Sequence, residues 1–258
     1  MDELTSGLSE KLTEMERLLA GVRASLQTGY RRRRRALFLP WRGECWKSLE
    51  SVWKAAMEDP EYEVFVMPVT WFYRDHMLEP RKDEPQFDAE GFPDYVKLSA
   101  FWKYPPEQLR PDLIIFNNPY DECNYTTMVD PRFFSRELKG WTDHLVYIPW
   151  FVTDEIDAVG EPDDQAVYNM RYYVTVPGVI HADHVIVQSE LMRDSYIHVL
   201  TEMSGEEYRP VWEKKIHAFG SPLLEERPEG GGYDSIPASP IWEKLKALLD
   251  TDTRREAV

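Results

Sequence analysis

The densest run of chemistry-bearing side chains is Asn117-Asn-Pro-Tyr-Asp-Glu-Cys-Asn124. Amides, two acids, a phenol and a thiol side by side suit hydrogen bonding to a polyol or sugar phosphate, with Asn117, Tyr120 and Asn124 as donors and acceptors. The same run also reads as a turn begun at Asn118-Pro119, with Asp121 capping the next element. Trp41-Arg-Gly-Glu44 is the second candidate: Arg42 beside a glycine can hold a phosphate or carboxylate, or can cover Trp41 or Trp46. The third is Asp154-Glu155, two acids after an apolar run, suited to proton transfer or to loop solvation and capping. His181-Ala-Asp-His184 lacks the further convergent ligands that zinc requires, so no metal is expected. Cys45 and Cys123 have no partner pattern for nucleophilic catalysis. Neither a Gly-x-Gly-x-x-Gly fingerprint nor a P-loop is present, and no cofactor is expected.

Stepping along the chain, short apolar runs alternate with amphipathic segments. Strands are expected at Ala36–Pro40, Val64–Val69, Asp112–Phe116, Leu145–Ile148, His184–Gln188 and Lys215–Phe219. Helices are expected between them. Trp46, Leu49, Trp53 and Ala56 share one helical face, Pro131–Lys139 and Asp164–Val174 follow, and Ser189 caps a helix over 190–203 that stops before Gly205. Residues 74–106 are polar, Pro-rich and irregular, an insertion. This alternation predicts an α/β fold, a parallel sheet with helices on both faces, whose ligands sit beyond the carboxyl ends of the strands. All three polar candidates follow such ends.

Ahead of this pattern, Leu8, Leu12, Met15, Leu19, Val22 and Leu26 repeat at heptad spacing, predicting one long amphipathic helix over 2–28 that packs on its own domain or a neighbouring subunit, or self-associates through residues 8–26. Arg31 to Arg35 follow, a connector or at most a peripheral contact with anionic lipid. The expected organisation is therefore 1–35 as helix and Arg run, 36–222 as the α/β domain, and 223–258 as a Gly-rich linker and C-terminal helix.

The 258 residues carry a formal charge of −16, with +3 on residues 1–35 and −19 on the rest. Such a balance disfavours gripping nucleic acid through its phosphates. Apolar residues at 43% support a packed core, while two cysteines and the lack of an apolar leader or membrane-length segment point to a cytoplasmic protein.

The segments Leu37-Phe-Leu-Pro-Trp41, Ser48 to Ala56, Asn118 to Asn124, Val146-Tyr-Ile-Pro-Trp-Phe151, Asp183 to Glu190 and Ala218-Phe-Gly-Ser-Pro222 together resemble the N-terminal half of the CDP-glycerol glycerophosphotransferase-like family, GT-B-type teichoic-acid transferases of Gram-positive bacteria. The resemblance covers roughly residues 36–222 and implies a Rossmann-like half that holds the acceptor, facing a second half that holds the activated donor. With that role for the half, the candidate acceptor site is the set of residues beyond the strand ends: Arg42, Asn117, Asn118, Tyr120, Asp121, Glu122, Asn124, Trp150, Ser189 and Glu190. The family's turn after the fourth strand carries a base histidine; here that turn reads Pro149-Trp-Phe-Val-Thr-Asp-Glu155, leaving Asp154 or Glu155 as substitutes. The 36 residues after Pro222 are too few for a donor half of roughly a hundred residues or more. Two expectations follow: an acceptor half served by a donor-domain protein in trans, or a non-catalytic binding or assembly protein, or truncated product, that keeps the transferase fold.

Overall fold

The computed structural model describes residues 11–22, 32–100, 105–160, 162–226 and 232–251. The chain divides into two compact units after Arg33. In the first, residues 11–22 form a helix (α1); the rest of the helix expected over 2–28 lies outside the described residues. Every described residue of α1 is exposed, including Leu12, Met15, Leu19 and Val22 of the heptad seam.

The second unit opens with β1 (Arg34–Leu39), so Arg34 and Arg35 belong to a strand rather than to a connector. Arg34 donates to Asp250 at 2.5 Å and Arg35 to the Leu109 carbonyl at 2.9 Å. A 3-10 turn over Gly43–Ser48 leads into α2 (Glu50–Glu58) and β2 (Tyr62–Val66). Next, β3 (Trp71–Tyr73) leads into the insertion, whose described residues are mostly irregular up to α3 (Pro106–Leu109) and β4 (Leu113–Phe116). Then come β5 (Thr127–Val129), α4 (Ser135–Lys139), β6 (His144–Tyr147), α5 (Asp164–Val174), α6 (Pro177–His181) and β7 (His184–Ile186). The last elements are α7 (Glu190–Ser204), α8 (Arg209–Lys215), β8 (Ile216–His217) and α9 (Pro240–Thr251).

Six strands form one parallel sheet in the order β2-β1-β4-β6-β7-β8, while β3 and β5 make a separate antiparallel pair. Side chains alternate between the two faces, as the period of a strand requires. Leu37, Leu39, Ile114, Phe116, Leu145 and Tyr147 face a layer built from α4 to α8, whose inward residues include Leu138, Met170, Val179, Tyr196 and Trp212. Ala36, Phe38, Leu113, Ile115, Val146 and Ile148 face the opposite layer, where α2 and α9 bury Trp53, Ala56, Ile241, Trp242 and Leu245. Helices thus cover both faces of a Rossmann-like sheet. The region 223–258, read as linker and C-terminal helix, contributes α9 to this cover: Trp242 meets Tyr62 edge-on at 4.8 Å and donates to Asp59 at 3.2 Å. No described helix is long and apolar enough to cross a membrane.

The order of strands reverses direction at β1, between its neighbours β2 and β4. In an open parallel sheet this switch point leaves a crevice beyond the carboxyl ends, because the two flanking connections run to opposite faces.

Candidate functional site

The loop after β4 is the nearest to the switch point, and its polar side chains turn inward. Asn117 is fully buried: its Oδ1 accepts the Trp41 N–H at 2.9 Å, and its Nδ2 donates to the Cys45 carbonyl at 3.3 Å and Ser48 Oγ at 3.1 Å. Its amide therefore staples the β4 loop to the turn after β1 and leaves no ready capacity for a ligand. Asn118 Oδ1 accepts the Tyr120 N–H, and Asn124 Oδ1 accepts from Thr126 and Thr127, both closing local turns. Tyr120 is half-buried against the core, and that burial raises its phenol pKa. Glu122 is exposed, and its backbone carbonyl is held by Arg74.

Asp121, with φ of 46°, is buried; it accepts Ser135 N–H at 2.8 Å and Ser135 Oγ–H at 2.6 Å. Ser135 Oγ in turn lies 2.8 Å from His181 Nδ1. Burial pushes the Asp121 carboxyl up to about 7 against the pull of the two Ser135 hydrogen bonds. Burial also lowers His181, helped by the charges of Lys215, Lys139 and Arg136. The serine sits between acid and histidine, whereas a nucleophilic triad needs the histidine in the middle. Ser135 is also fully buried, so this chain ties α4 and α6 to the β4 loop instead of attacking a substrate. His181 is half-buried in that chain.

Arg42 is held on the β1 side of the switch point. Its guanidinium lies 4.1 Å from the Trp41 ring and 4.3 Å from that of Trp71, and it pairs with Glu44 at 3.1 Å. The Trp41 reading holds, Trp71 stands where Trp46 was expected, and with the ion pair these rings compete with any phosphate for Arg42. Trp150 packs at 5.6 Å on Trp41, so the β1 and β6 turns meet through two indoles.

The turn after β6 meets the start of α7. Gln188 and Thr153 exchange hydrogen bonds, with Gln188 Nε2 to the Thr153 carbonyl at 2.9 Å and Thr153 N–H to Gln188 Oε1 at 3.2 Å. Gln188 Nε2 also donates to Glu155 Oε1 at 2.7 Å, and Ser189 Oγ donates to Glu155 Oε2. Ser189 caps α7 by accepting the Met192 N–H at 3.1 Å, and Glu190 lies exposed in the first turn. A carboxylate at this end complements the positive pole of a 15-residue helix. Asp154 is exposed and makes no hydrogen bond or ion pair among the described residues. Behind this turn is a crevice of about 20 Å³ lined by Phe151, Thr153, Gln188 and Tyr196, room for roughly one water.

The structure therefore joins Glu155 to Ser189 and Gln188, leaves Asp154 and Glu190 exposed as their chain neighbours, and joins Arg42 to Trp150 through Trp41. It directs Asn117, Asn118, Asp121 and Asn124 into internal bonds. Ser135 and the side chains of the insertion were missed by the reading of the sequence. Ser135 carries no pattern, and the exposed rings of Tyr73 and Phe87 give a signal only once the insertion is seen to fold against Arg42. Among the described residues no three His, Cys, Asp or Glu side chains converge to hold a metal. No protein-family model matches the chain, and no curated protein matches it either.

Proposed function

We propose that the chain is the acceptor-binding half of a CDP-glycerol glycerophosphotransferase-like enzyme of cell-wall or surface polymer synthesis, and that a second chain supplies the donor nucleotide. The observation that carries this reading is the β6 turn. It delivers Asp154 and Glu155 to the carboxyl edge of the sheet at the N-terminus of α7, where the resemblance expects a base for the acceptor hydroxyl. A carboxylate within hydrogen-bond reach of a hydroxyl can take its proton as the bond to phosphorus forms. Of the two, Asp154 has its hydrogen-bonding capacity available, while Glu155 is already oriented by Gln188 and Ser189.

A second reading, a non-catalytic binding protein with the transferase fold, is favoured by a different observation: four of the polar side chains in the β4 loop serve internal hydrogen bonds. The two readings separate in one experiment. The tagged chain is captured from its source cell with any nucleotide-binding chain it retains, and transfer of labelled glycerol phosphate from CDP-glycerol is followed. The proposal expects transfer by the assembly and none by the isolated chain. An assembly that never turns over CDP-glycerol sinks it, and so does a clear thermal shift of the isolated chain with CDP-glycerol.

A further inference from the structure

The insertion folds back over the carboxyl end of β1 and, with β3, walls a cleft of about 440 Å³, within the range of small-ligand sites. Its attachment is tight: Asp88 accepts the Gly43 N–H at 2.9 Å, and a Cβ on Gly43 would lie 2.3 Å from the Gly91 backbone. Two rings of the lining are open to solvent, Tyr73 at 46% and Phe87 at 40% exposure. Tyr73 packs edge-on against Trp71 at 4.8 Å, which holds its ring at the wall.

Most polar groups of the lining are already engaged. Arg42 lies against the Trp41 and Trp71 rings and donates through Nη1 to Glu44 at 3.1 Å. Its Nε–H and the Trp71 indole N–H are closed to solvent, so neither is on offer to a ligand. Gln86 Nε2 donates to the Glu84 carbonyl at 2.9 Å, and Asp88 accepts the Gly91 N–H at 3.3 Å besides that of Gly43. Glu90 is exposed and makes no hydrogen bond or ion pair among the described residues. Two aromatic faces and one uncommitted carboxylate therefore remain, in a lining where Glu44, Asp88 and Glu90 outnumber Arg42.

What remains selects the ligand class. An anion meets a net negative wall. A neutral polyol gains nothing from that charge and finds the amide and guanidinium donors engaged. A metal ion needs converging ligands, and no three His, Cys, Asp or Glu side chains converge among the described residues. A primary ammonium brings three N–H groups to satisfy against a single uncommitted carboxylate. A fully alkylated ammonium has no N–H to satisfy. It is attracted by the acids and lays its methyl groups on the rings, whose negative faces favour a cation.

We infer that this cleft binds a small quaternary ammonium cation, with Tyr73 and Phe87 as aromatic walls and Glu90 as counter-charge. The site shares no lining residue with the Asp154–Glu155 turn. The inference goes beyond the transferase reading, since binding here needs neither a nucleotide nor group transfer.

Saturation-transfer NMR on the full chain at low salt tests it. Choline is the probe, 3,3-dimethylbutanol its uncharged isostere, and phosphocholine the same cation carried as a headgroup. The expected result is saturable choline binding with Kd on the order of 1 mM, ordinary for so small a ligand. The isostere keeps the shape, loses the charge and binds at least about tenfold more weakly. Phosphocholine also binds more weakly than choline, because its phosphate faces the same acids. Tyr73→Ala and Phe87→Ala each weaken choline about fivefold, and Glu90→Gln about threefold. Circular dichroism and Tm report the fold of each variant, and Glu90→Gln changes only the charge of an exposed residue, so one arm removes no ring. Absence of saturable choline binding, equal binding of the isostere, phosphocholine binding as tight as choline, or indifference to all three substitutions overturns the inference. None of these outcomes bears on CDP-glycerol turnover, so the two proposals fail separately.

Discussion

Two ionisable groups, one buried and one half-buried, pull the stability of the domain in opposite directions. Burial raises Asp121 to about 7 in the folded chain, above its ordinary 3.8. The folded state therefore favours the protonated form. The contribution is fully present below pH 4 and is lost as pH rises through 7, amounting to about 4 kcal/mol. His217 is lowered by burial, and by the charge of Arg193, to about 4 from an ordinary 6.5. Below pH 6.5 the unfolded chain takes up the proton first, so its contribution, reduced by solvent screening of this partly exposed ring, is lost as pH falls from 6.5 to 4. In the native protein the two limbs offset one another over this window. Asp121→Asn keeps an oxygen to accept from Ser135 and removes the titration, so urea unfolding of this variant should show a steeper acid loss than the parent. Parallel profiles for the two proteins between pH 4 and 7 would contradict it. At this scale the sequence was half legible. Ser189 as a helix cap rests on neighbours three residues away and was readable. The role of Asn117 depends on Trp41, Cys45 and Ser48, some seventy residues upstream, and only the fold brings them to it.

Elements are positioned by close approaches that side-chain patterns do not announce. Gly178 opens α6 directly against the β4 loop, donating its N–H to the Pro119 carbonyl at 2.8 Å. A Cβ there would sit 2.5 Å from Pro119 Cα, a backbone contact that a rotamer change cannot relieve. Gly178→Ala should therefore cost more than about 2 kcal/mol in urea unfolding, because α6 and the β4 loop must separate. A cost under about 0.5 kcal/mol, typical of an unconstrained surface position, would show that the junction is loose. The sheet strands were legible because their apolar residues run continuously, as strands covered on both faces do. The β3–β5 pair was not, since three residues each, Trp71-Phe-Tyr73 and Thr127-Met-Val129, are too few to show a period. The heptad seam at the start of the chain predicted a helix, and its described residues, 11–22, are helical.

For the molecule as a whole, one sheet with both faces covered defines a carboxyl edge, and the chemistry proposed here divides along it. The β6 turn presents carboxylates at the start of α7, while the insertion builds its cleft beside β1. The acidic balance of the domain, legible from composition, agrees with a local lining in which three acids outnumber Arg42. Which polar runs would face outward was not legible, because a loop rich in Asn and Asp serves equally as ligand contact or as its own scaffold. The central claim is that Asp154 and Glu155 act on the acceptor in an assembly whose donor site lies on another chain. Its most direct test is the rate of glycerol phosphate transfer from CDP-glycerol by that assembly, measured for the native chain and for Asp154→Asn combined with Glu155→Gln. The account predicts a fall of about 100-fold in kcat, the usual worth of a general base, with KM for CDP-glycerol unchanged. Equal rates for the two assemblies would contradict it.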